Sequence, residues 1–107
     1  MEKLGKKKSD HANAKMTALM LRFGARKTES EIYDYEMDTI HGTLLLGTDN
    51  MASDVGYSLC TCFQTKKITF SYPRLNKFSG KMNFNGSDLD ALIWEIESMF
   101  TKLKGVV

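Results

Sequence analysis

The sequence predicts an α+β domain, a small antiparallel sheet of four to five strands with an N-terminal and a C-terminal helix packed on one face. Three observations carry that expectation. Residues 31–38 alternate apolar and acidic side chains with the period of a half-buried strand. Near the C-terminus, Leu89, Leu92, Ile93, Ile96, Met99, Phe100 and Leu103 recur at helical spacing as one continuous apolar stripe. Between these segments, short apolar runs are separated by turns rich in Gly, Asn and Asp. A length of 107 residues fits one domain, and 42% hydrophobic residues are enough to build a core without covalent staples.

Taken in order, residues 1–8 are Lys-rich and lack periodicity, which predicts a flexible basic tail ahead of a single domain over 9–107. Ser9 or Asp10 is placed to cap a helix running to about Arg22, with Met16, Leu19, Met20 and Phe23 on one side and His11, Lys15 and Arg22 on the other. Gly24 suits its end. In the strand of 31–38, Tyr33, Tyr35 and Met37 point one way while Asp34, Glu36 and Asp38 point the other. A turn at Ile40-His41-Gly42 leads to a leucine-rich strand over 43–47, and a polar loop over 49–56 leads to a third strand over 57–64. That strand sets Tyr57, Leu59 and Phe63 on one face and Cys60 and Cys62 on the other.

Residues 65–72 fit two readings. Ile68, Phe70 and Tyr72 alternate as in a strand, yet Phe63, Lys67 and Ser71 suit a helical crossover, and Pro73 ends either. A loop over 76–80 and a short strand over 81–85 follow. Ser87, with Asp90 three residues on, resembles a capping box opening the last helix.

The net charge of +2 hides a strong segregation. Residues 1–27 hold eight Lys/Arg and two acids, and residues 28–64 hold seven acids and no Lys/Arg. Residues 65–82 hold five Lys/Arg and no acid, and residues 83–107 hold four acids and two Lys. Either oppositely charged segments neutralise each other in the fold, or they form separate patches that meet a second molecule.

No apolar run is long enough to span a membrane, and no apolar stretch follows the charged N-terminus as in a signal peptide. A cytoplasmic protein without a membrane partner is expected. Cys60 and Cys62 are then free thiols, because strand positions i and i+2 are a poor disulfide pair. Cys-Thr-Cys with two isolated histidines, His11 and His41, lacks the ligand spacing of a zinc site, so no metal is expected. A thiol nucleophile would need a base, for which His41 is the nearest candidate across the sheet. The glycines form no GxGxxG or P-loop pattern, so no nucleotide cofactor is expected. No catalytic residue is assigned.

Two binding surfaces stand out. Asp34, Glu36 and Asp38 put three carboxylates on one strand face, and Trp94 falls opposite the apolar stripe of its helix among Asp90, Glu97, Ser98 and Thr101. A lone outward tryptophan is a typical interface anchor, the alternative being that the N-terminal arm or a loop covers it. The alternative surface is basic and aromatic: Arg74, Lys77 and Lys81 interleave with Tyr72, Phe78 and Phe84, and Lys15 and Arg22 enlarge it toward nucleic acid. Against that alternative, Phe78 and Phe84 also suit a core.

The segment from Asn76 through Phe84, followed closely by an amphipathic helix, resembles small uncharacterised proteins of phages, plasmids and other mobile elements. In those, a Tyr-Gly-Thr-Leu-like hairpin precedes a strand ending in an Arg-Phe-like pair, then an Asn-Pro-Tyr-Ser-Gly-Lys-Trp-Asn-Phe-like turn and strand. Ile40 to Leu44 and Cys62-Phe63 occupy those places here, and the chain departs at Lys77 and Met82. The resemblance spans residues 31–103 and implies a helical crossover and a mobile-element setting, but no activity. Small charge-segregated domains in that setting often occlude a host protein, an inhibitor of a host defence system such as a CRISPR nuclease being one example. The leading expectation is therefore a non-catalytic protein that binds a host protein or protein–nucleic acid complex through Asp34, Glu36, Asp38 and Trp94. The alternative is a small nucleic-acid-binding module, and self-association is left open.

Overall fold

The computed structural model describes residues 2–48, 51–53, 56–64 and 71–105, and of residues 2–9 and 53 the backbone alone. The elements follow the order α1 (Glu2–Arg22), β1 (Arg26–Lys27), β2 (Tyr35–Thr39), β3 (Gly42–Gly47), β4 (Ala52–Ser53), β5 (Gly56–Phe63), β6 (Lys81–Gly86) and α2 (Leu89–Leu103). All pairings are antiparallel, and the architecture is the expected α+β one.

Strand β5 is the centre of the sheet. Its residues Cys60 to Cys62 pair with both β3 and β6, so these two strands occupy opposite edges. Tyr57 pairs with both Ala52 and Gly86, so β4 lies on the β3 edge. Between Gly47↔Cys60 and Ala52↔Tyr57 the chain advances five residues on one side and three on the other. β3 and β4 thus lie along the same side of β5, their registers offset by two residues. The spatial order is β1, β2, β3 with β4, β5, β6.

One face of this sheet is apolar. Met37, Leu44, Leu46, Leu59, Met82 and Phe84 are wholly buried there, and both helices contribute to the same core through Met16, Met20, Ile96, Met99 and Phe100. The helices also touch directly, with the Phe23 and Phe100 rings edge-to-face at 5.4 Å. Lys15 reaches Asp90 and Arg22 reaches Glu97, each pair 75 residues apart in sequence. Two contacts with one offset mean that α1 and α2 run parallel and in step.

Several boundaries differ from the sequence expectation. Helix α1 starts at Glu2, so the stretch over 2–8 expected as a tail has helical backbone, and Ser9 and Asp10 lie inside the helix rather than at its cap. Lys and Glu favour helix, and only Gly5 in that stretch opposes it. Strand β2 starts at Tyr35 instead of residue 31. Ser30 Oγ accepts from the backbone N–H of Ile32 and Tyr33, and Thr28 Oγ1 donates to the Tyr33 carbonyl. These side-chain bonds compete with the ladder and hold 28–33 as a turn. The cap of α2 is Asp88, whose carboxylate accepts from Asp90 N at 3.0 Å and Ala91 N at 3.4 Å; it is not Ser87. β1 and β4, two residues each, have no signal in the sequence. The question of strand or helix over 65–72 falls mostly on residues 65–70, outside the described residues. Among the described residues, no helix is long and apolar enough to cross a membrane.

The burial pattern predicts a sharp contrast between two aromatics. Phe84→Ala should cost about 3–5 kcal/mol in urea unfolding, because it opens a cavity in a filled core. Trp94→Ala should stay within about 0.5 kcal/mol, as a surface change does.

Candidate functional site

The acidic residues expected on one strand face do not form a free patch. The 28–33 turn takes Asp34 out of the alternation, and its carboxylate accepts from the backbone N–H of Thr48 at 2.7 Å and from the Thr48 hydroxyl. The Thr48 carbonyl in turn accepts from Asn13 Nδ2 at 3.2 Å, which ties α1 to the ends of β2 and β3. Asp34 is a structural link. Glu36 and Asp38 do share the outer sheet face, but β1 sets Arg26 opposite Glu36. Arg26 Nε lies 3.2 Å from Glu36 Oε1, and its two terminal nitrogens donate to both Asp38 oxygens at 3.0 and 3.1 Å. That fork geometry is the strong form of an ion pair. The Arg26 hydrogen bond and charge hold the Asp38 carboxyl below the usual carboxylate range, and Asp38 raises Arg26 in return.

The basic residues expected for nucleic acid divide in the same way. Lys15 pairs with Asp90 at 2.7 Å and Arg22 with Glu97 at 3.0 Å. Arg74 grips Glu95 with two bonds, at 2.6 and 3.3 Å, and its guanidinium lies 5.7 Å from the Phe84 ring centroid. It staples the segment before β6 onto α2. Lys77 and Lys81 are exposed and form no ion pair among the described residues. Of five expected cations, three are engaged by the chain's own acids.

What remains is aromatic. Trp94 is 70% exposed. It stands one turn after Asp90 and one turn before Glu97, so on the α2 surface it lies between the two ion pairs that join α2 to α1. Phe78 is 98% exposed, which overturns the reading of it as a core residue, whereas Phe84 is buried. The difference comes from the turn at 76–80, described below, which holds Phe78 away from the alternation that buries Met82 and Phe84.

The thiols lie on the outer sheet face, with Cys60 exposed and Cys62 half-buried. The loop over 31–33 crosses this face beside them. A Cβ on Gly47 would stand 2.7 Å from the Ile32 carbonyl, so only glycine permits that approach. Burial, and then the adjoining Cys62 and Cys60, push the Tyr33 phenol above its ordinary range. Register keeps His41 away from this group: Cys62 stands opposite Leu45, four residues along β3, roughly 13 Å from the turn. His11 sits on α1, across the sheet. Among the described residues, no three of His, Cys, Asp and Glu cluster as a metal set.

No protein-family model, curated protein or solved structure matches the chain.

Lys15 and His11 lower the Asp90 carboxyl as Arg26 lowers Asp38, hydrogen bonding to Lys15 being the main cause. A carboxylate depressed in the folded state adds stability that is complete above its unfolded pKa of about 3.9. That stability is lost as the pH falls further, through the folded value. Melting temperature should therefore drop below about pH 4, and Asp90→Asn should flatten part of that drop. Thiol titration of the native chain should modify Cys60 faster than Cys62, with unfolding removing the difference.

Proposed function

We propose that the chain is a non-catalytic binding domain that engages a protein partner, with Trp94 as the anchor. The exposure of that indole on a polar helix face is the observation that carries the reading. A tryptophan offers about 150–250 Å² to bury, and leaving it in water on a fixed helix keeps it ready for a pocket. Its backbone is already ordered by α2 packing and by the two ion pairs to α1, so little further ordering cost falls on binding. The charges beside it are paired with each other, so a partner that covers the indole strands no lone charge. Asp34, Glu36 and Asp38 have no share in this surface, because Thr48 and Arg26 already engage them. The resemblance to mobile-element proteins supports a host protein, alone or with its nucleic acid, as the partner, and occlusion of that protein as the mode of action.

Trp94 is the only tryptophan, so it reports on itself. The free chain should emit as a solvated indole and be quenched readily by acrylamide. Capture from a host lysate should recover a partner with the wild type and lose it with Trp94→Ala. The purified partner should shift the emission to the blue, shield it from acrylamide, and bind Trp94→Ala at least roughly thirtyfold more weakly, as interface anchors do. Equal recovery with both chains removes Trp94 from the interface.

A further inference from the structure

The turn over 76–80 is built from its own hydrogen bonds. Asn76 Oδ1 accepts from the N–H of Phe78 at 2.9 Å and of Ser79 at 3.3 Å. The Asn76 carbonyl accepts from Gly80 N at 2.7 Å, and Asn76 N donates to the Lys81 carbonyl at 2.9 Å. Ser79 Oγ accepts from Lys81 N at 3.3 Å. Gly80 closes the turn at φ 76°, a conformation that other residues adopt at a cost. On its outer side Cys62 Sγ reaches the Ser79 carbonyl at 3.7 Å, and at its base Leu75 bridges to Met82. The tip is therefore held by many bonds, yet the residue it presents is a phenylalanine almost wholly in water.

A fixed backbone that exposes an aromatic ring is arranged for a ligand with an apolar face. Two features select which one. Lys77 precedes the ring and Lys81 follows it on β6, both exposed, without an ion pair among the described residues, and residues 65–82 contain no acid. Phe78 is 98% exposed, so both faces of the ring are open to a flat ligand. Open ring faces beside unpaired cations match a base and its neighbouring phosphates.

We infer that this turn is a contact site for single-stranded nucleic acid, in which Phe78 stacks on a base while Lys77 and Lys81 neutralise the adjoining phosphates. The site is separate from Trp94 and does not depend on it. Lys15, Arg22 and Arg74 take no part, because acids of the chain already engage them.

The test is fluorescence anisotropy of the full chain with a labelled oligothymidylate. Binding should appear at low salt and weaken with a log–log slope near −1.4, as expected for two phosphates of a single strand. Phe78→Ala should weaken it roughly five- to hundredfold and Phe78→Trp should retain it, the range of one base stacked on one aromatic. Lys77→Gln with Lys81→Gln should flatten the slope, while Lys27→Gln, which removes one charge at the far edge of the sheet, should change the affinity much less. Duplex of equal length should bind more weakly, since its bases are not free to stack. Absence of binding at low salt overturns the inference. So does a Phe78→Ala chain that binds the oligonucleotide like the wild type, including the case in which the same variant loses a captured protein.

Discussion

Burial of a single sheet face is the constraint on which the rest of the structure depends. The sheet is one layer thick, and α1 and α2 both lie against the side that carries Met37, Leu44, Leu59, Met82 and Phe84. The other face is mainly polar, with Leu45 of β3 half-buried between Glu36 and Cys62. Two helices sharing one face must also lie side by side, which brings the basic flank of α1 against the acidic flank of α2. The Lys15–Asp90 and Arg22–Glu97 pairs follow from that placement and fix the step between the helices.

The same packing resolves the segregated charge. The basic N-terminal block and the acidic middle block are adjacent in the sheet, because β1 pairs with β2 and sets Arg26 against Glu36 and Asp38. The last acidic block meets α1 on one flank and Arg74 on the other. Among the described residues, Lys15, Arg22, Arg26 and Arg74 are neutralised by acids from other blocks of the sequence, and each exposed pair adds little on its own. Two exposed aromatics stand in different settings. Trp94 stands between closed ion pairs, and Phe78 stands between open lysines. The first suits a pocket on a protein, and the second suits a base with its phosphates.

Much of the fold was legible because it rests on periodicity. The strands at 57–64 and 81–85 and the stripe of α2 follow from alternation or helical spacing, and each segregates its side chains as expected, while the strand at 43–47 follows from its leucine run. Legibility failed where a side chain bonded to the backbone. Ser30 and Thr28 divert 28–33 from the strand, which removes Asp34 from the acidic face. Asn76 organises a turn that carries Phe78 out of the core. The loop at 76–80 was expected from its turn formers, but not that its bonds hold Phe78 in water; at 28–33 the alternation of the following residues masked the turn that Thr28 and Ser30 make.

The amino-acid order by itself determined the class of the fold, the two helices, the buried faces of the last two main strands and the place of Trp94 opposite the apolar stripe of its helix, while its exposure was decided by the tertiary structure. These follow from contacts within a few residues, where spacing alone sets direction. Only the tertiary structure decided which charges are engaged, that Asp34 serves Thr48, that His41 stands apart from the cysteines, and that Phe78 is exposed. Those outcomes depend on strand register and helix placement, which join residues as far apart as Arg22 and Glu97, and a local pattern holds no information about which distant partner arrives.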